Sequence, residues 1–130
     1  MDELIDKIKK ILDGDVEQLN KFAEYIGKKY APQNEVEKKE KLTTSQIRNI
    51  LDDVQKMKKE DVTSGRYQLL RPKLAYVAGK NKKSKGLKEI RNILDISLIE
   101  IKNSWERFEN FRNFFEAIVG YHKFYSKVSD

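Results

Sequence analysis

The sequence predicts an all-α protein, a compact bundle of about five to six helices with a basic face. Apolar residues recur three and four positions apart along most of the chain, and no period-two strand pattern rivals them. Charged residues make up 37% of the sequence, which predicts a densely charged surface. At 130 residues we expect a single helical domain over 1–130, with N-terminal helices in 1–31, a charged loop in 32–43 and a motif-bearing helical core in 44–130.

The first part of the chain predicts two helices and a loop. Gly14 interrupts the first apolar stripe, Asp15 is placed to cap the second helix, and Pro32 follows its end near Tyr30. The segment PQNEVEKKEK (32–41) carries almost no apolar side chain, so we expect a mobile loop there. The two stripes consist of Leu4, Ile5, Ile8, Ile11 and Leu12, and of Val16, Leu19, Phe22, Ala23 and Ile26.

The middle of the chain predicts a third and a fourth helix. Thr43, Thr44 and Ser45 are possible N-caps of the third helix. After a turn at Gly65 the pattern resumes, and Pro72 requires the fourth helix to begin near it or to kink. The stripes are Ile47, Ile50, Leu51, Val54 and Met57, then Leu69, Leu70, Leu74 and Val77.

The last part predicts a basic loop and two further helices. The segment GKNKKSKG (79–86) carries four lysines, and we expect nothing in it to pack in a core. Ser104 is placed to cap the final helix, in which Phe114 and Phe124 lie off the centre of the aromatic face. The stripes are Leu87, Ile90, Leu94, Leu98 and Ile101, then Trp105, Phe108, Phe111, Phe115, Ile118, Val119 and Tyr125.

Composition favours an anionic partner and gives little support to other classes. The net charge is +6, although a plain solvated surface has the same signature. The chain has no cysteine, which excludes disulfides and thiolate metal sites. No apolar run is long enough for a membrane span, and the charged start lacks a signal-peptide pattern, so we expect no membrane partner and a cytoplasmic protein.

Catalytic groups are sparse, so we expect no enzyme, no metal and no cofactor. His122, the single histidine, favours a hydrogen-bonded structural role or an RNA contact over a general base. Asp52 and Asp53 are adjacent, and neighbours on a helix point about 100° apart, which suits a solvated face better than a metal site. No phosphate-binding glycine loop is present in the sequence.

A cluster of cations is the strongest functional pattern. Arg66, Lys73 and Lys80 are spaced seven residues apart, so a continuous helix would align them, with Tyr76 between the last two. Phosphates seek cations and unstacked bases seek aromatic faces, although Tyr76 would equally fit a core. The predicted RNA-binding residues are Arg48, Arg71, Lys73, Tyr76, Lys80, Lys82, Lys83 and Lys85.

Four segments, TTSQIRNIL with VQKM, LLRPKLAYVAGK, GLKEIRNIL and FFEAIVGYHKFY, resemble the small subunit of the type III-A CRISPR effector, the Csm complex. The resemblance covers Leu42 to Tyr125. It implies a non-catalytic helical protein of antiviral defence, present in stacked copies beside other subunits and bound to target RNA, with guide RNA as a further partner. Carried onto this chain, the family's motif cations are Arg48, Arg71, Lys73 and Lys80. Lys82, Lys83 and Lys85 are assigned by charge alone.

Two other functions fit parts of the pattern. A helical assembly adaptor would carry its basic charge incidentally. A DNA-binding regulator would use the third and fourth helices as a helix-turn-helix pair, against which Pro72 and the lysine loop argue. A ribonuclease is the weakest alternative, because it would need a metal or His122 as its catalyst.

Overall fold

A computed structural model of the protein describes residues 2–128, with the side chain of Thr44 left out. Met1, Ser129 and Asp130, which the predicted domain includes, lie outside the described residues. Over the described range the chain forms seven α-helices and two short 3₁₀ turns, which confirms the all-α class. The helices are α1 (Asp2–Leu12), α2 (Val16–Lys29), α3 (Thr44–Lys56), α4 (Lys59–Thr63), α5 (Leu70–Lys80), α6 (Lys85–Ile101) and α7 (Trp105–Tyr125). The 3₁₀ turns span Glu35–Lys38 and Arg66–Leu69.

The helix starts follow from the capping residues that the sequence contains. The carboxylate of Asp15 accepts a hydrogen bond from the backbone N–H of Gln18 at 3.0 Å, and the hydroxyl of Ser104 accepts one from Arg107 at 3.2 Å. Thr43 is the N-cap of α3, and its backbone N–H donates to the Gln46 side chain at 2.8 Å. These contacts satisfy backbone donors that have no partner within the first helical turn.

Helix α7 is the centre of the core. It packs against α1, α2, α3 and α6, so apolar side chains are buried on several of its sides. This explains why Phe114 belongs to the core even though the sequence placed it off the centre of the aromatic face: its ring stacks on Phe22 of α2 at 5.8 Å between centroids. Phe124, near the end of the same helix, is 77% exposed.

The segment predicted as a mobile loop contains ordered structure. Ala31 and Pro32 are buried, and Asn34 caps the 3₁₀ turn Glu35–Lys38 by accepting a hydrogen bond from Glu37 N–H at 3.1 Å. Leu42 is fully buried, and its N–H donates to the carbonyl of Tyr30 at 3.1 Å. The segment is therefore anchored to the bundle at both of its ends.

His122 fixes that segment from the side of α7. Its ring is fully buried, and Nε2 lies within hydrogen-bonding distance of the carbonyls of Tyr30, at 3.2 Å, and Leu42. A Cβ placed on Gly27 of α2 would lie 2.7 Å from the backbone nitrogen of His122, so the two helices touch through backbone here. The geometry gives His122 a structural role, one of the two roles that the sequence favoured over a general base.

The fourth predicted helix begins near Pro72, as the sequence required, and this leaves one of its three spaced cations outside it. Gly65 has a φ of +88°, a left-handed backbone conformation that glycine adopts more readily than other residues. A 3₁₀ turn follows it before α5 begins at Leu70. Pro72 lies in the first turn of α5, where its missing N–H removes no intrahelical bond. Arg66 lies outside α5, so the continuous helix that would align the three cations does not form, and the row reduces to Lys73 and Lys80.

Candidate nucleic-acid interface

A groove runs between α3 and α5, and most of the predicted site residues on α5 line it. Asp53 of α3 lies opposite Lys73 of α5, with 3.0 Å between carboxylate oxygen and Nζ, whereas Gln46 and Lys80 lie together at the other end. The two helices are therefore antiparallel in this groove. Lys73 and Lys80 are seven residues apart on α5, which places them about 20° from each other around its axis. The helix thus keeps both cations on the groove side.

At the Lys80 end the groove opens into a concavity of about 500 Å³, which we call the basic concavity. It is rich in lysine because three chain segments meet there: the first 3₁₀ turn, the start of α3 and the α5–α6 turn. Its lining residues are Lys38, Lys39, Gln46, Gly79, Lys80, Asn81, Lys82, Lys83 and Ser84. Five lysines thus surround a space large enough for part of a nucleic-acid strand.

The α5–α6 turn is held rigidly by two small residues that sequence reasoning placed in a solvated loop. Ser84 is 2% exposed, caps α6 by accepting from Leu87 N–H at 3.1 Å, and donates its hydroxyl to the carbonyl of Lys41 at 3.1 Å. Gly86 is buried, and a Cβ there would lie 3.0 Å from the backbone nitrogen of Leu42. The prediction that nothing in GKNKKSKG packs in the core is therefore wrong.

Lys38 and Lys39 are functional candidates that the sequence analysis missed. The segment that carries both lysines packs against the α5–α6 turn. It is held there by the contacts of Ser84 and Gly86 with residues 41 and 42, and by a hydrogen bond from Gly86 N–H to the carbonyl of Glu40 at 3.1 Å. In the sequence these two lysines differ from their surroundings only in being adjacent cations, within a segment of mixed charge. More than forty residues separate Lys38 from Lys82, so only tertiary structure brings them together.

Charge in the basic concavity is incompletely neutralised. Lys38 forms an ion pair with Glu35 at 3.0 Å. Over residues 2–128 no acidic side chain lies within ion-pair distance of Lys39, Lys80, Lys82 or Lys83. Uncompensated lysines that converge on one concave surface attract anions, of which a phosphate backbone is one.

Tyr76 is on the surface of the groove, not in the core. Its side chain is 70% exposed and lies on α5 between Lys73 and Lys80, beside Asn49 and Val77. Burial in the core, the alternative that the sequence left open, is thereby excluded. An exposed phenol ring flanked by cations has the arrangement on which an unstacked base packs.

Arg71 lies on the other flank of α5 and is bound within the protein. Its guanidinium donates to both carboxylate oxygens of Asp95 on α6, at 2.7 Å from Nε and 3.3 Å from Nη2. This hydrogen bonding raises the pKa of the Arg71 guanidinium, which stays charged at every relevant pH. Lys73 is also paired, with Asp53, but through a single contact on a more exposed surface.

Replacing Asp95 with asparagine should lower the melting temperature by about 4 °C. The Arg71–Asp95 ion pair, which joins α5 to α6 through two contacts, is lost, and this lowers the free energy of unfolding by about 1 kcal/mol. Asp53→Asn, which removes the exposed single contact to Lys73, is the matched control and should shift it by less than about 1 °C. Thermal unfolding followed by circular dichroism measures both. Equal shifts would show that the Arg71–Asp95 pair is no stronger than an ordinary surface pair.

Two predicted residues lie apart from the groove. Arg48 is exposed on α3. Because each residue of an α-helix turns about 100° around the axis, Arg48 lies roughly 150° around the helix from Gln46 and Asp53. Lys85 is exposed at the start of α6 and lines a different concavity, formed with α1 and α2. The structure therefore brings together Lys73, Tyr76, Lys80, Lys82 and Lys83, and it separates Arg48, Arg71 and Lys85 from them.

Other kinds of site would require a cluster of metal ligands or a membrane-spanning helix. No group of three or more histidine or acidic side chains in that range is arranged to hold a metal ion. No helix in the same range combines the length and the apolar character that crossing a membrane requires.

Comparison with known proteins identifies a family. The family described as Csm2 Type III-A matches residues 13–128, which includes α2 to α7 and all of the predicted RNA-binding residues. The match also includes residues 13–41, where the sequence analysis found no motif. No curated protein and no solved structure matches the chain.

Proposed function

Because the chain belongs to the Csm2 family and is thus a small subunit of the type III-A CRISPR effector complex, we propose that it binds target RNA through the sugar-phosphate backbone. The basic concavity is the observation that carries this proposal. Guide RNA is a further partner where it lies beside the target. Sequence is read by pairing between guide and target, so the protein needs charge and shape but no contacts to base edges.

The geometry of the groove suits a single strand. The side chains of Lys80, Lys82 and Lys83 are long and mobile, whereas the turn that carries them is already ordered. Their ammonium groups can therefore reach phosphates without any further ordering of the backbone. Tyr76 provides one aromatic face about one helical turn away from Lys80. The Lys73–Asp53 pair closes the far end of the groove, where a phosphate would compete with the carboxylate for the ammonium.

Self-association as stacked copies, next to other effector subunits, belongs to the same proposal. Its support is the family, together with an exposed apolar region around Phe124 where α2 and α7 form a shallow concavity with Ala117, Gly120 and Tyr121. Neighbouring copies would extend the basic surface, so that affinity for a strand exceeds that of one subunit. We further propose that the subunit has no catalytic activity of its own, acts in antiviral defence and works in the cytoplasm.

Photo-crosslinking in a reconstituted effector complex tests this function. Target RNA substituted with 4-thiouridine should crosslink to peptides that contain the α5–α6 turn or Tyr76, and mass spectrometry would identify them. A complex that assembles normally but gives no crosslink to this subunit would indicate the assembly adaptor instead. Preferential competition by duplex DNA would indicate the DNA-binding regulator.

A further inference from the structure

A second concavity lies between α1, α2 and α6, on the other side of the α5–α6 turn, and has a volume of about 660 Å³. We propose that it binds one nucleotide of the same single-stranded RNA, with the base on the ring of Tyr25 and the phosphate between Lys85 and Lys88. This inference rests on the proposed RNA binding and extends it to the N-terminal helices. The volume is in the range of about 300–1,000 Å³ that is usual for sites of small organic ligands.

The floor of this concavity is apolar and its rim is basic. Leu4, Phe22, Ile26 and Ile93 form apolar lining, and Lys7, Lys85 and Lys88 line the concavity as well. A nucleotide has the same division, with an apolar base face and an anionic phosphate. An acidic peptide would match the lysines but would leave the apolar floor and Tyr25 unused.

Tyr25 is the residue suited to hold a base. Its side chain is 57% exposed, and its ring is nearly parallel to Phe22, with 19° between planes and 6.4 Å between centroids. Phe22 thus fixes the plane of an exposed ring. Lys29 lies 5.6 Å from the Tyr25 centroid and 5.3 Å from that of Tyr30, so its ammonium group is held beside the exposed ring.

Charge in this region favours an anion. Three lysines, Lys7, Lys85 and Lys88, line the concavity together with two acids, Glu3 and Glu89, and Glu89 is engaged with the neighbouring Lys29 at 3.7 Å. Burial and the hydrogen bond to Glu89 raise the pKa of Tyr30 to about 12, so its phenol adds no negative charge at neutral pH. Lys85 and Lys88 have no acidic partner within ion-pair distance over residues 2–128.

The position of the concavity agrees with a strand that continues from the basic concavity. Lys83 lines one and Lys85 lines the other, with buried Ser84 between them. The turn 81–84 is therefore a short ridge with lysines on both sides. A strand that crosses this ridge would pass from the α3/α5 groove to Tyr25.

Binding of a fluorescein-labelled oligouridylate to the full chain tests the site. Tyr25→Ala should weaken binding about tenfold, because stacking of one base contributes about 1–3 kcal/mol, whereas Tyr25→Phe should bind like the wild type. Lys85→Ala combined with Lys88→Ala should also weaken binding. With an abasic oligonucleotide of the same length, Tyr25→Ala should have no effect, since no base remains to stack.

Controls separate this inference from the proposed function. Leu69→Ala removes a comparably exposed apolar side chain outside both concavities, and Lys123→Ala with Lys127→Ala removes two remote cations; neither should change affinity. If lysine variants of the basic concavity weaken binding while Tyr25→Ala and the Lys85/Lys88 variant do not, the second site is wrong and RNA binding stands. If polyglutamate competes as well as RNA, the concavity is an acidic-peptide site and the inference fails. If wild-type protein binds no RNA, alone or in the complex, both proposals fail.

Discussion

Replacing Lys80, Lys82 and Lys83 together with alanine should reduce the affinity for single-stranded RNA about 100-fold at roughly 0.1 M salt. Each phosphate contact on a single strand contributes about 0.7 to the slope of log K against log salt, so three contacts amount to about two decades between about 0.1 M and 1 M salt. The slope should become shallower by about two units, and variant and wild type should converge near 1 M salt. Fluorescence anisotropy over a salt series measures both quantities.

A second variant controls for loss of net charge. Lys59, Lys123 and Lys127 are exposed, lie outside both concavities and have no ion-pair partner within the described 2–128 range. Their triple replacement by alanine also removes three charges and should change affinity less than about threefold, through long-range electrostatics alone. Equal losses for the two variants would mean that RNA responds to net charge and that the basic concavity is not the binding site.

Replacing Phe111 with alanine should lower the free energy of unfolding by about 3–5 kcal/mol, a large part of the stability of a domain this size. Phe111 is fully buried in α7, and its ring lies 5.8 Å from Phe108 and 6.2 Å from Phe115, so its removal leaves a cavity among rings that cannot readily close. Urea unfolding followed by far-ultraviolet circular dichroism would show a lower midpoint with an unchanged slope.

Phe124 provides the control for this prediction within the same helix. It is 77% exposed, so Phe124→Ala should change the free energy of unfolding by less than about 0.5 kcal/mol. If the two variants were equally stable, α7 would not be the centre of the core.

The sequence was sufficient for the features that depend on neighbouring residues. Asp15 and Ser104 cap helices because the backbone donors they satisfy lie three residues further along the chain, and the N–H of Thr43 donates to the Gln46 side chain at the same spacing. The family was also recognisable from local segments, and the match over 13–128 confirms it. The sequence could not predict whether Tyr76 is exposed, because one aromatic residue at helical spacing fits a core and a surface equally well; its side chain is 70% exposed.

The candidate interface was only partly predictable. Lysines at 80, 82 and 83 were identified from charge, but Lys38 and Lys39 join them only through the contacts of Ser84 and Gly86 with residues 40–42. Arg71 looked equivalent to Lys73, yet its partner Asp95 is 24 residues away in sequence. Whether a cation is available to a ligand depends on the acids that folding places beside it.

By itself, then, the sequence determined the all-α class, most helix limits, the family and the basic character of the 80–85 segment, because each depends on periodicity, capping or composition over a few turns. Tertiary structure alone decided which cations converge and which are neutralised by acidic residues. It also decided that Lys83 and Lys85 line different concavities. The physical reason is that convergence is a property of distances between segments remote in the chain, which side-chain packing fixes and local pattern does not encode.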